Sequence, residues 1–311
     1  MKKLVKNLIS KILNLNNFRN YDDVEKIALG KILKKKNNLK TLEKIEDVEF
    51  KIFSQFGDDG IIQFLIDKLE IGYDYQNFIE FGVEDYSEAN TKFLLLNNNW
   101  SGFILDSSDK NIESIKKKNY FWKYDLEAKQ SFVKKENINE LIFNSSMKNK
   151  KIGILSIDID GNDYWIWKEI SVIDPMIVII EYNSTFGQNH KISIPYDKNF
   201  DRSKAHYSNL YWGASIEALK FLASKKGYKF LTTNSAGNNA YFIKENIFDK
   251  LEIHIKKNIF QSKFRESRDK DGKKTFANFE ERLKTIEHLE VIDVETNEIS
   301  KLSKLLKTID K

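Results

Sequence analysis

The stretch Tyr228-Lys-Phe-Leu-Thr-Thr-Asn-Ser-Ala-Gly-Asn-Asn-Ala-Tyr-Phe-Ile-Lys244 settles how the chain folds. Tyr228 to Thr232 and Ala240 to Lys244 have the aromatic and β-branched composition of strands. They flank Asn234-Ser-Ala-Gly-Asn-Asn239. So short a connection cannot return the chain parallel to itself, so the two strands form an antiparallel hairpin. Just before them, Ile216, Leu219 and Leu222 repeat at helical spacing. That helix stops at Gly227, a residue suited to the left-handed position after a helix end.

Upstream, the sequence alternates strand and helix. Asn77 to Phe81 is an apolar run containing Glu80 and followed by Gly82, and a helix is predicted over 88–97. Phe103 to Leu105 runs into Asp106 and a Lys-rich helix over 109–118. Tyr120 to Tyr124 reads as a third strand ending at Asp125, with a helix over 130–146. Lys151 to Ile157 runs into Asp158, a helix covers 164–170, and Met176 to Ile180 runs into Glu181. Ile61, Leu65 and Leu69, with Ile62 and Ile66, predict a further helix that Ser54 or Asp58 can cap. Five strands separated by helices predict a parallel sheet covered on both faces. With the hairpin it becomes a mostly parallel, seven-stranded, Rossmann-like α/β sheet. Residues 49–250 form this domain, with a polar-aromatic insertion over 184–213 on the acceptor side. Residues 1–48 are expected to be a helical N-terminal extension, and 251–311 a helical, charged C-terminal one.

Composition narrows the function. The 311 residues are 41% hydrophobic, enough for a sizeable core. The 51 basic residues exceed the 46 acidic ones by a net +5, mostly in Lys runs that read as solvated helix faces. No basic face interleaved with aromatics points to nucleic acid. The absence of cysteine excludes disulfides, thiol catalysis and thiolate metal sites. It also fits a reducing compartment, and the chain is read as cytoplasmic. No stretch approaches a membrane span. Residues 1–14, with Leu4, Val5, Leu8, Ile9, Ile12 and Leu13 broken by polar positions, read as an amphipathic helix. It is expected to dock on the protein, with weak peripheral membrane contact as a second use.

In an open parallel sheet, ligands bind beyond the carboxyl ends of the strands. Each strand read here ends in an acid, giving Glu80, Asp106, Asp125, Asp158 and Glu181 on one rim. Such a rim suits a ligand rich in donors. Asp106 stands where a carboxylate accepts ribose hydroxyls, Asp125 where an adenine amino group is met, and Gly82 where backbone approaches a ligand. No phosphate-cradling G-x-x-x-x-G-K-[ST] or G-x-G-x-x-G is present. The pattern favours a cationic, adenosine-bearing cofactor without phosphates.

Five segments carry a family resemblance: Phe53-Ser-Gln-Phe-Gly-Asp-Asp-Gly60, Phe78-Ile-Glu-Phe-Gly-Val-Glu-Asp85, Asn90-Thr91, Trp100-Ser-Gly-Phe-Ile-Leu-Asp106 and Asn238-Asn-Ala-Tyr-Phe-Ile243. Over residues 50–245 the chain resembles the FkbM-like family of class I S-adenosylmethionine (SAM) methyltransferases. Five parallel strands closed by an antiparallel hairpin is that class's sheet. The resemblance implies SAM as cofactor, with Glu80 and Gly82 in its first loop, Asp106 at the ribose and Asp125 at the adenine. Gln55, Asn90 and Ser107 complete the cofactor-binding set. It also implies O-methylation of a sugar, polyol or similar hydroxyl. The first loop departs from the family by having a single glycine before Val83-Glu-Asp-Tyr86, so Glu84 and Tyr86 are expected to crowd the methionine end.

Ile154-Leu-Ser-Ile-Asp-Ile-Asp-Gly-Asn-Asp-Tyr164 leaves several readings open. Asp158 could be the base for a hydroxyl nucleophile, or Asp158, Asp160 and Glu181 could hold Mg2+ or Mn2+. Asp158-Ile159-Asp160 also matches the D-x-D of metal-dependent nucleotide-sugar glycosyltransferases. D-x-D-G matches haloacid-dehalogenase phosphatases too, but there it opens the domain. Asp160 and Asp163 could simply shape the turn, and a non-catalytic binding module on the same fold is a further alternative. His190 and His206 in the insertion are candidate general bases, and Tyr182, Asn183, Tyr207, Tyr211 and Trp212 offer a surface for a sugar. The acceptor's identity and the oligomeric state are not legible in the sequence.

Overall fold

The computed structural model describes residues 15–37, 44–251, 258–262 and 266–306. Its main sheet contains β1 (Asn77–Phe81), β2 (Ser101–Asp106), β3 (Leu126–Gln130), β4 (Ile154–Ile157), β5 (Ile177–Glu181), β7 (Tyr228–Thr233) and β8 (Asn239–Lys244). The spatial order is β3-β2-β1-β4-β5-β8-β7. β1 to β5 pair in parallel, whereas β8 runs antiparallel to both β5 and β7. This is the expected class I methyltransferase sheet, closed by the expected hairpin.

Neighbouring residues of each central strand serve opposite faces. Phe78, Ile154 and Ile179 enter one core with Ile61, Leu65 and Tyr241. Ile79, Leu155 and Ile180 enter the other with Trp167, Leu219 and Phe242. Burial on both faces explains why these strands read as unbroken apolar runs.

The third strand departs from the sequence reading. Residues Asn119–Lys123 form a short helix, and β3 begins only at Leu126. Tyr120 is buried, 6.1 Å from Tyr86, while Trp122 is 75% exposed. The aromatic run thus follows a helical in-and-out pattern. β3 is an edge strand that buries only Leu126 and Ala128, so its sequence is mostly polar.

The C-terminal extension also differs from expectation. β6 (Ile192–Ser193), inside the 184–213 insertion, pairs antiparallel with β9 (Glu290–Asp293), which pairs with β10 (Ile299–Lys301). The C-terminal extension is therefore not wholly helical. Its hairpin and the insertion share a small core of Phe186, Ile192, Ile194, Leu210, Ile286, Val291 and Leu302. At the other end, Ile27 and Leu33 of the helix Leu15–Asn37 pack on Phe50, Ile52, Phe53 and Phe93. The amphipathic segment 1–14 lies outside the described residues. Among the described residues no helix is long and apolar enough to cross a membrane.

Candidate functional site

The carboxyl ends of β1, β2, β4 and β5 open into a cleft of about 930 Å³, walled by the insertion and by parts of the C-terminal extension. This lies within the usual size of small-molecule sites. Glu80, Asp106, Asp158 and Glu181 line it together, as do Gln55, Gly82, Asn90, Ser107 and Asp160.

Asp125 does not. It precedes β3 instead of ending it, so it sits at the opposite edge of the sheet, where Lys150 approaches its carboxylate to 3.4 Å. The tip of β3 instead supplies Ser131, Phe132 and Val133 to the cleft. Phe132 is 42% exposed there and presents an apolar ring to the cleft. The alternation Leu126-x-Ala128 was the signal for this strand.

Glu80 is buried and its carboxylate is fully engaged. Oε1 accepts from the Asn90 backbone N–H (2.9 Å), and Oε2 from the Thr91 N–H (3.1 Å) and hydroxyl (2.5 Å). Burial raises its pKa, and the bonds from Thr91 and Asn90 oppose the rise. Glu80 thus anchors the far end of the loop after β1. Gly82 serves the same loop, with φ +76°. A Cβ there would lie 1.5 Å from the carbonyl oxygen of Asp158. Its missing side chain therefore admits the chain itself, letting the tips of β1 and β4 touch.

Glu84 and Tyr86 take positive φ of 48° and 60° in place of further glycines. Tyr86 does not crowd the cleft. It turns into the core, and its hydroxyl meets Thr91 Oγ1 at 2.9 Å. Glu84 does line the cleft, and burial with the nearby charges of Asp160 and Asp106 raises its pKa.

Asp106 joins the first loop to the next helix. Oδ2 accepts from the Glu84 N–H (2.8 Å), and Oδ1 from the Ser108 N–H (2.8 Å) and Asn111 Nδ2 (3.0 Å). A carboxylate offers about four lone-pair sites, so acceptor capacity remains for a ligand hydroxyl. Asp58, read as a helix cap, is instead buried and accepts from Tyr241, Asn234 and Asn239, tying its helix to the hairpin loop. The neighbouring Asp59 receives the backbone N–H groups of Ile52, Phe53 and Ser54.

Across the cleft, Asp158, Asp160 and Glu181 place carboxylate oxygens within 4.8 Å of one another. Parallel pairing of Ile157 with Ile180 sets this spacing. Burial, then the charges of Asp160 and Asp163, raises the pKa of Asp158 well above its ordinary value, and burial, then the charges of Asp158 and Asp160, does the same for Glu181. Asp163 shapes the turn, accepting from Ile159 (2.8 Å) and Gly161 (2.9 Å). Arg202 went unnoticed in the sequence. Its guanidinium meets Asp160 at 2.5 Å, donates to the Asn209 carbonyl at 2.9 Å and lies over the Trp212 ring at 4.6 Å. The one hint was its type, since only five of the 51 basic residues are arginine.

Neither candidate histidine lines the cleft. The backbone carbonyl of His190 accepts from Ser215 Oγ (2.7 Å), and its ring Nε2 is buried without a partner among the described residues. His206 pairs with Ser208 (2.7 Å), 5.7 Å from the His288 ring. Burial and His288 lower its pKa. The insertion folds back onto β9, and both histidines lie outside the cleft.

No family model and no curated protein matches the chain. Among solved structures, it is similar to an O-methyltransferase from Bacillus cereus in complex with SAH, the demethylated product of SAM. The identity is 14%, over 77% of this chain and 96% of that one, with TM-score 0.40. A SAM-dependent methyltransferase from Clostridium acetobutylicum matches at 10% identity, over 60% and 90% of the two chains, TM-score 0.38. Human N-acetylserotonin methyltransferase in complex with SAM matches at 10%, over 60% and 53%, TM-score 0.33. At such scores the likeness carries no argument about activity.

Proposed function

We propose that the chain is a cytoplasmic, FkbM-like SAM-dependent methyltransferase that O-methylates a hydroxyl of a sugar, polysaccharide precursor or similar polyol. The observation that carries this reading is Asp106. Its carboxylate ends β2, organises the loops on either side, keeps acceptor capacity and faces the cleft. Asp106 would hold the ribose, Phe132 would cover the adenine, and the loop held by Glu80 would bound the methionine end. SAM supplies an electrophilic methyl group on a sulfonium.

The chain's own residues do the rest. Asp158 and Glu181 stand opposite, where a carboxylate can accept the proton of a hydroxyl. Phe200, Leu210 and Trp212 give the acceptor side apolar surface for the C–H face of a sugar ring. Fixing hydroxyl and methyl in line is then the main source of rate.

Calorimetric titration of the full chain tests this. SAM and SAH are expected to bind, and UDP-sugars not. Binding of UDP-sugars with Mn2+ but not of SAM would transfer the reading to a glycosyltransferase using Asp158 and Asp160. Binding of neither would make the chain a non-catalytic module.

A further inference from the structure

We infer that the helix Leu15–Asn37 is a positioning element of the cofactor half of the cleft, holding the loop after β1 through Phe53 and Lys51. The inference deepens the methyltransferase reading and rests on it for the identity of the ligand. Within that loop, residues 82–91, Glu84, Glu88, Ala89 and Asn90 line the cleft, and Gln55 joins them. Glu84 and Tyr86 hold left-handed backbone there without being glycine. Strain of this kind persists only where the surrounding structure fixes it. Glu80 and Asp106 fix the loop from the sheet side. Segment 50–55 fixes it from the other.

That second hold is direct. The Phe53 carbonyl accepts from the Ala89 N–H (3.0 Å). Lys51 Nζ reaches both the Gln55 carbonyl and the Glu88 carboxylate at 2.8 Å, so it ties two parts of the cleft wall together. Lys92, at the end of the loop, is 7% exposed, and its ammonium lies 4.6 Å from the centre of the Phe53 ring. Phe53 packs in turn on Phe93, 6.3 Å between ring centres, and Phe93 stands edge-on to Phe50.

The helix covers this aromatic layer. Ile27 and Leu33 pack on it, and Gly30 lets the helix backbone come down onto it. A Cβ at Gly30 would lie 2.5 Å from the Phe93 ring and 3.2 Å from Ile52 Cγ1. The last turns of the helix are tied separately, Lys34 to Asp67 (2.9 Å) and Asn37 to the Val48 carbonyl (2.7 Å). Ile27, Gly30 and Leu33 do not line the cleft themselves, so the helix acts on it through Phe53 and the loop.

The test is Gly30→Leu in the full chain. Leucine is a better helix former than glycine, so the variant blocks docking without weakening the helix itself. Hydrogen exchange read by mass spectrometry should show the amides of 84–91 exchanging about tenfold faster, with β4 and β5 unchanged. Calorimetry should give an SAH dissociation constant raised about tenfold, the factor for a loop held correctly in about one tenth of the molecules. Lys51→Met, which removes an exposed ion pair, should raise it about two- to fivefold. Ile32→Gln, on the exposed face of the same helix, should change neither quantity. Circular dichroism checks folding, and Ile27→Ala replaces Gly30→Leu if the latter does not fold. Loop exchange and SAH affinity both within about twofold of wild type overturn the inference. So does faster exchange throughout the sheet, which would make the helix a source of general stability only. If wild type binds no SAH while the variant still frees the loop, the cofactor reading falls and the helix's hold on the loop stands.

Discussion

Asp106→Asn tests the cofactor half of the cleft. The carboxylate serves three donors, two on Oδ1 and the Glu84 N–H on Oδ2. An asparagine can turn its oxygen to Ser108 and Asn111 but then points an NH2 at the Glu84 N–H. One bond to a charged acceptor is lost, about 1.5–3 kcal/mol, and the remaining two fall to roughly half their strength without the charge. Denaturant unfolding should therefore show a loss of about 3–6 kcal/mol. A ribose hydroxyl held by the same carboxylate loses a bond of the same kind, which is about ten- to 150-fold in affinity. The loop released at Glu84 adds to this. Calorimetry with SAH should give a dissociation constant raised by about two orders of magnitude. A folded variant binding SAH within about threefold of wild type would refute the reasoning.

Gly82→Ala should cost about 3 kcal/mol or more, because the left-handed backbone adds about 1–2 and the clash with Asp158 breaks contacts between two strand tips. A denaturation midpoint within about 1 kcal/mol of wild type would contradict it. Asp158→Asn should leave SAH affinity within a few-fold while methyl transfer to the acceptor falls by at least about a hundredfold. Unchanged turnover would return the residue to a purely structural role. Asp59 is buried with its pKa raised by burial to about 6, so the fold favours its protonated form. Its contribution to stability is highest below the unfolded carboxyl pKa and declines as pH rises to about 6. All four of its donors reach Oδ2, so an asparagine oxygen can replace it. Between pH 4 and 7 the stability of Asp59→Asn relative to wild type should rise by about 2–3 kcal/mol. A flat difference would show that Asp59 is not perturbed.

The sheet was legible because its central strands are buried on both faces and so appear as continuous apolar runs, and because a six-residue link admits only a hairpin. β3 was misread for the opposite reason. As an edge strand with one covered face it has a polar sequence, while the aromatic helix before it imitates a strand, and Asp125 was misplaced with it. The second sheet was not legible at all. β6 contributes two residues and finds its partner about a hundred residues later, a pairing no local pattern encodes. The acids at 80, 106, 158 and 181 were found because strand ends fix them. Their differing roles depend on which backbone donors reach them, and of the two on the cofactor side, Glu80 and Asp106, Asp106 is the one that keeps room for a ligand. The histidines were placed by chemistry alone, and the insertion's return to β9 takes them elsewhere.

The most direct test of the strand-tip cleft as the cofactor site is a crystal structure of the protein grown with SAH. The expected result is the adenosine between Asp106 and Phe132, with the sulfur turned toward Asp158 and Glu181. SAH bound elsewhere, or lying with its ribose away from Asp106, would contradict it.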